Sequence, residues 1–294
     1  MAVTATQIKQ LRDATGAGMM DCKKALDASN GDMEEATKWL RENGIMKAQK
    51  KAGRVASEGA TAVAVKGNRA VVYEVNCETD FAADTQNFKN LVSKVGEYLA
   101  DMDATTVEEA LASKTPDGTL KDTITNAVAV ISENLTFRRM IVLNKTDAQS
   151  FSTYIHMGGK IATAIIAEGG TEEELHNLAL HTTVSAPLYL DANSVDQEYL
   201  AKEREILRQE TLNEGKPEKI VDRIVDGKIG KELKEICLMD QPYFINPEIT
   251  VEQFCKQQGI KLVAFAKLVR GEGVEKKEEN FAEEVAKAVE ASKK

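Results

Sequence analysis

Ala60-Thr61-Ala62-Val63-Ala64-Val65-Lys66-Gly67-Asn68-Arg69-Ala70-Val71-Val72-Tyr73-Glu74-Val75 contains two β-prone runs, Ala60 to Val65 and Arg69 to Val75, around the dipeptide Gly67-Asn68. Branched residues on both sides of such a pair are a hairpin signal. Gly-Asn is a weaker turn former than Asn-Gly, so the register stays open. Beyond Cys77-Glu78-Thr79-Asp80-Phe81, the spacing predicts a helix from about Asp84 to Ala100, with Phe88, Leu91, Val95 and Leu99 on one face. Two more helical stretches, Thr106 to Ala112 and Leu120 to Asn134, precede a strand at Arg138 to Leu143. The order then recurs: Phe151 to His156, Gly158-Gly159 and Lys160 to Ala167 make a second hairpin, and Glu172 to Ser185 its helix. Hairpin-then-helix, twice, reads as two α+β subdomains with antiparallel strands.

Outward from this pair the pattern is helical. The first 44 residues read as three short helices, with Thr4 or Thr6 capping the first and Gly16-Ala17-Gly18 breaking it. Asn30-Gly31 suits a left-handed stop after the second. Asp32 and Glu35 open the third, which Gly44 is expected to end. Lys47 to Gly59 is basic, rich in small residues, and reads as a helical or extended linker. Ser194 to Gly215 and Pro217 to Cys237 are charged helical segments around Gly215-Lys216-Pro217, the pattern of an antiparallel helical hairpin. Thr250 starts another short helix, and Lys261 to Val269 is expected to return as a strand to the second subdomain. Val274 to Lys294 reads as a charged helix with Phe281, Val285 and Val289 on a sparse apolar face.

Composition narrows the function. The 294 residues are 43% hydrophobic, enough for more than one core, and 5% aromatic, so those cores must be mainly aliphatic. A net charge of −9 argues against a general nucleic-acid binder, which needs a basic surface. No signal peptide or apolar run of membrane-spanning length is visible. Cys22, Cys77, Cys237 and Cys255 form no CxxC pair and read as the reduced thiols of a cytoplasmic protein. Gly16-Ala17-Gly18 lacks the third glycine of a dinucleotide fingerprint, and no P-loop is present. His176 and His181 are five apart, about 140° around a helix, which is unsuited to sharing a metal. No enzyme constellation, cofactor or metal is expected.

Two places stand out. Asp80-Phe81 falls between a strand ending at Asn76 and the helix at Asp84, where side chains can project. On residue chemistry alone the favoured reading is that Phe81 covers the local core and Asp80 caps the helix. Met19 and Met20 are adjacent on a helix and cannot both face inward, and methionine suits adaptable binding surfaces.

Thr15-Gly16-Ala17-Gly18-Met19-Met20-Asp21-Cys22-Lys23-Lys24-Ala25-Leu26 resembles the N-terminal signature of the elongation factor Ts family, and Glu74-Val75-Asn76-Cys77-Glu78-Thr79-Asp80-Phe81 resembles its second. His156-Met157-Gly158-Gly159-Lys160-Ile161, Gly215-Lys216-Pro217 and Gly271-Glu272-Gly273-Val274-Glu275-Lys276 follow in family order. The resemblance implies a ubiquitin-associated-like three-helix domain with its basic linker (1–54), core subdomain N (55–145), core subdomain C (146–190 and 238–272), an inserted helical hairpin (191–237) and a C-terminal helical module (273–294). It implies a partner, the GTPase elongation factor Tu, from which the family speeds GDP release. It implies no direct contact with nucleic acid or membrane. Carried across, Thr79, Asp80, Phe81 and Ala82 meet the nucleotide-binding domain of the GTPase and disturb its magnesium site. Arg12, Met19, Met20 and Lys23 match the N-terminal contact surface, Ile131 and His156 further contacts, and Phe244 and Ile245 an apolar contact with a distal domain. Lys160 stands where the family commonly has Arg, and Ala162 where it has Gly.

Overall fold

The computed structural model describes residues 3–274; the expected helix with Phe281, Val285 and Val289 lies outside the described residues. Helices α1 (Ala5–Thr15), α2 (Met19–Ala28) and α3 (Met33–Lys51) precede the hairpin of β1 (Glu58–Lys66) and β2 (Arg69–Cys77). A short α4 (Asp80–Asp84) runs into α5 (Gln86–Asp101), then α6 (Val107–Ala112), the small hairpin β3 (Lys114–Thr115) and β4 (Gly118–Thr119), α7 (Leu120–Ile131) and β5 (Thr136–Asn144). The second half has β6 (Ser150–His156), β7 (Ile161–Glu168), α8 (Glu172–Ser185), the long pair α9 (Gln197–Asn213) and α10 (Glu218–Ile236), β8 (Pro242–Tyr243), β9 (Asn246–Thr250), α11 (Val251–Gln258) and β10 (Lys261–Val269).

The architecture is α+β. Two three-stranded antiparallel sheets, ordered β1-β2-β5 and β10-β7-β6, lie face to face between helical layers. Side-chain alternation along a strand explains the layering. Val71, Tyr73, Val75 and Cys77 of β2 pack on Phe88, Val95 and Leu99 of α5 and Ile124 and Val128 of α7. The opposite parity, Ala70 and Val72, meets Ala162, Ala164 and Ile166 of β7 and Ala266 and Leu268 of β10. The alanines give this middle layer short side chains that allow close approach. Beyond it, Ile165 and Ala167 pack on Leu175 and Leu178 of α8 and Val251 and Cys255 of α11.

A direct hydrogen-bonded contact ties β1 to the β6–β7 turn. The N–H and hydroxyl of Thr61 both donate to the Gly159 carbonyl, at 2.7 and 3.0 Å. Gly159 has φ +97°, and a Cβ there would lie 3.0 Å from both the Ala60 Cβ and the Thr61 carbonyl oxygen. This is the physical reason for the second glycine of the Gly158-Gly159 pair.

The N-terminal helices differ from the sequence reading at one boundary. Gly44 does not end α3, which continues to Lys51. Gly44 lies against α7, where an added Cβ would come 3.2 Å from that of Ala129, so its smallness serves helix packing rather than termination. Ala48 then packs on the first sheet's core, the Lys51 ammonium donates to the Ser132 carbonyl, and Arg54 pairs with Glu78 at 3.4 Å. The first five residues of the expected linker are thus the last turn of α3, and residues 52–57 lead from it to β1 outside any helix. By contrast α9 and α10 bury their own seam of Val221, Val225 and Ile229 with Leu207, Leu212 and Leu233, and Arg204–Asp226 and Arg208–Asp222 bridge them at 2.6 and 3.2 Å.

Candidate functional site

The chain leaves β2 at Cys77 and, after Glu78 and Thr79, enters α4 at Asp80. Thr79 caps α4: its hydroxyl accepts from the Ala82 N–H at 3.1 Å and donates to Glu133 Oε1 at 2.6 Å. Glu133 Oε2 accepts the N–H groups of Glu78 and Thr79 at 2.9 and 3.0 Å, and Asp80 Oδ1 accepts that of Phe81 at 2.9 Å. Ala82 is buried beneath the turn, while Phe81 is 84% exposed, the highest value among the exposed large apolar side chains described. The reading of Phe81 as a core cover is therefore overturned, and the cap is Thr79 rather than Asp80. A turn whose Glu78, Thr79, Phe81 and Ala82 N–H groups are all satisfied holds a phenyl ring in water.

A groove of about 610 Å³ lies beside this turn, lined among others by Asp80, Lys89, Ala62, Ile155 and Met157. Ile155 and Met157 are 48% and 62% exposed, and Met157 has φ +48° at the β6–β7 turn. His156 projects the other way, is half-buried, and has its ring centroid 6.0 Å from that of Tyr154. Ile131, at the end of α7, is partly buried against the first core, close in sequence to Glu133. Met19 and Met20 are 58% and 65% exposed at the start of α2, and Arg12 and Lys23 are exposed on α1 and α2. A Cβ on Gly16, just before them, would meet Val130 of α7 at 3.6 Å, so the bundle's turn sits near the same helix. Phe244 and Ile245 occupy a separate place, the two-residue turn between β8 and β9. There Phe244 packs on Tyr243 and His181 at 5.5 and 5.9 Å, and Ile245 is 55% exposed.

Nothing near the turn is primed for covalent chemistry. Burial, with Glu133 and Glu58 adding to it, pushes the Cys77 thiol up to about 12, and burial pushes Cys237 and Cys255 each to about 11. Thiols so raised carry almost no thiolate at neutral pH. Burial lowers the pKa of His181, which contacts Gln241 Oε1 at 3.2 Å. Among the described residues no group of three or more His, Cys, Asp or Glu side chains is placed to hold a metal, and no helix is long and apolar enough to cross a membrane.

Glu133, Ile155 and Met157 were not singled out in the sequence. Alternation along β6 could have flagged Ile155 as opposite Tyr154, but Glu133 meets Thr79 across 54 residues, and no local pattern carries that.

The described residues form an α+β fold that presents apolar side chains, Phe81 and Ile245 among them, from turns, the surface chemistry of a protein that contacts a partner. Residues 78–272 match the family model described as Elongation factor TS, and the chain belongs to this family. The family comprises translation elongation factors that serve protein biosynthesis by nucleotide exchange on elongation factor Tu.

Proposed function

We propose that this chain promotes GDP release from elongation factor Tu by wedging Phe81, with Asp80, into the nucleotide-binding domain and disturbing its magnesium site. The observation that carries the reading is the 84% exposure of Phe81 on a turn braced at Thr79 and anchored at Ala82. Burying one phenyl ring in a partner supplies about 1.5–3 kcal/mol. A loosened magnesium ion removes a charge that holds phosphate oxygens. Arg12, Met19, Met20 and Lys23 contribute affinity from the three-helix domain, which is of the ubiquitin-associated-like kind. Ile131 and His156 add contacts, and Phe244 with Ile245 reaches a distal domain of the GTPase. The chain works in the cytoplasm, without nucleic acid, membrane or cofactor, and supplies no acid, base or nucleophile.

A passive adaptor or chaperone that holds the same GTPase without exchange activity is the rival reading, and linkage separates the two. A factor that weakens GDP binding must itself be weakened by GDP to the same degree. Titration of the chain against nucleotide-free and GDP-saturated elongation factor Tu, by calorimetry, should give much weaker binding with GDP. Equal affinities would establish the adaptor.

A further inference from the structure

We infer that Glu133 is the positioning residue of the exchange turn: its carboxylate, reached from the end of α7, holds Thr79 so that Phe81 stays forward. The inference rests on the wedge reading and adds a residue to it. A helix as short as α4, five residues, cannot sustain itself, because its first N–H groups have no partner within the helix. Here the donors of Glu78 and Thr79 and the Thr79 hydroxyl converge on one carboxylate at 2.9, 3.0 and 2.6 Å. Bonds to an ionised acceptor are the strong kind.

The clasp is reciprocal. The Glu78 carboxylate accepts the Asn134 N–H at 2.7 Å, while Glu133 accepts the Glu78 N–H. Ser132, at φ +64°, turns the chain back so that Glu133 faces the strand end. The same corner is tied to the N-terminal helices, through Lys51 to the Ser132 carbonyl and through Asn134 Nδ2 to the Arg54 carbonyl at 2.7 Å. Glu133 thus locks the backbone under Phe81 to the segment after α7, which its neighbours Ser132 and Asn134 tie to Lys51 and Arg54, without itself being the contact.

The test uses the full chain and elongation factor Tu loaded with a fluorescent GDP. In Glu133→Ala, the maximal exchange rate should fall about tenfold, with a smaller change in the half-saturating concentration. Glu133→Gln should recover most of that rate, because its carbonyl can take both N–H groups and its amide can donate to the Thr79 hydroxyl. Hydrogen exchange of the free chain reads the clasp without the GTPase. The Glu78 and Thr79 amides should be protected in the wild type and in Glu133→Gln, and released in Glu133→Ala. Unprotected wild-type amides would overturn the inference even if Glu133→Ala failed to fold. So would a Glu133→Ala chain at full rate, or an equal loss from that change in a Phe81→Ala background. If Phe81→Ala slows exchange while Glu133→Ala does not, only the clasp fails. If Phe81→Ala exchanges normally, the wedge itself fails.

Discussion

Glu74 sits on the face of β2 that otherwise carries Ala70 and Val72 into the layer between the sheets, and it has no solvent exposure. A buried carboxylate requires partners, and four are present. Arg139 Nε and Arg138 Nη1 approach at 2.5 and 3.2 Å, and the Gly271 N–H and Asn76 Nδ2 donate at 2.7 and 2.9 Å. Burial alone would raise its pKa, but the Gly271, Asn76 and Arg139 bonds outweigh it and leave the group below the usual glutamate value. Because the folded pKa is depressed, the stabilisation is present above the unfolded value of about 4.3 and is lost as pH falls through the folded one. Acid unfolding followed by circular dichroism should therefore show a slope below pH ~4.3 that Glu74→Gln flattens. Glu74→Ala should cost about 3 kcal/mol in denaturant melts, the low end for a broken buried pair, since both arginines keep some solvent contact. An unchanged midpoint would show the cluster to be idle.

At the scale of elements, the hairpins were legible because turn dipeptides and strand alternation act locally. Gly67-Asn68 turns β1 into β2 with Lys66 opposite Arg69, and the helices expected at Glu172 to Ser185 and after Thr250 lie where their spacing put them. The end of α3 was not legible. Glycine favours a helix stop, but at Gly44 the neighbouring Ala129 decides, and that contact is tertiary. The same limit applied to Phe81, which stands on a turn that Glu133, 54 residues on from Thr79, reaches from beyond the end of α7. At the foot of the α9–α10 arm, Leu233 packs within the arm, whereas Leu238, just past α10, is buried in the second sheet's core. The arm's base is held separately, by Leu188 and Tyr189 N–H groups on the Ile236 carbonyl at 2.9 and 3.1 Å. Replacing Asp196 to Gly230 by a short Gly/Ser linker should leave a cooperative melt and working exchange, because surface insertions cost little loop entropy. Loss of the cooperative transition would assign the arm to the core.

Over the whole molecule, the N-terminal helices, the first sheet and the turn at Thr79 meet at one corner, where Lys51, Arg54, Glu78, Ser132, Glu133 and Asn134 interlock. Deletion of residues 1–54 should then do more than weaken partner affinity. It removes Ala48 from the first core and Lys51 and Arg54 from the corner, so the melting temperature of the remainder should drop by several degrees, as ~1–2 kcal/mol would give in a chain of this size. An unshifted melt would mean that the bundle is an independent appendage. The central claim concerns the opposite side of that corner, where one ring faces water. Its most direct test is the release of fluorescent GDP from elongation factor Tu, with saturating wild-type chain and with Phe81→Ala. The wild type should accelerate release, and Phe81→Ala should lose most of the acceleration, on the order of 2 kcal/mol as for an interface hot spot, at an unchanged melting temperature. Full acceleration by a normally folded Phe81→Ala would contradict the account.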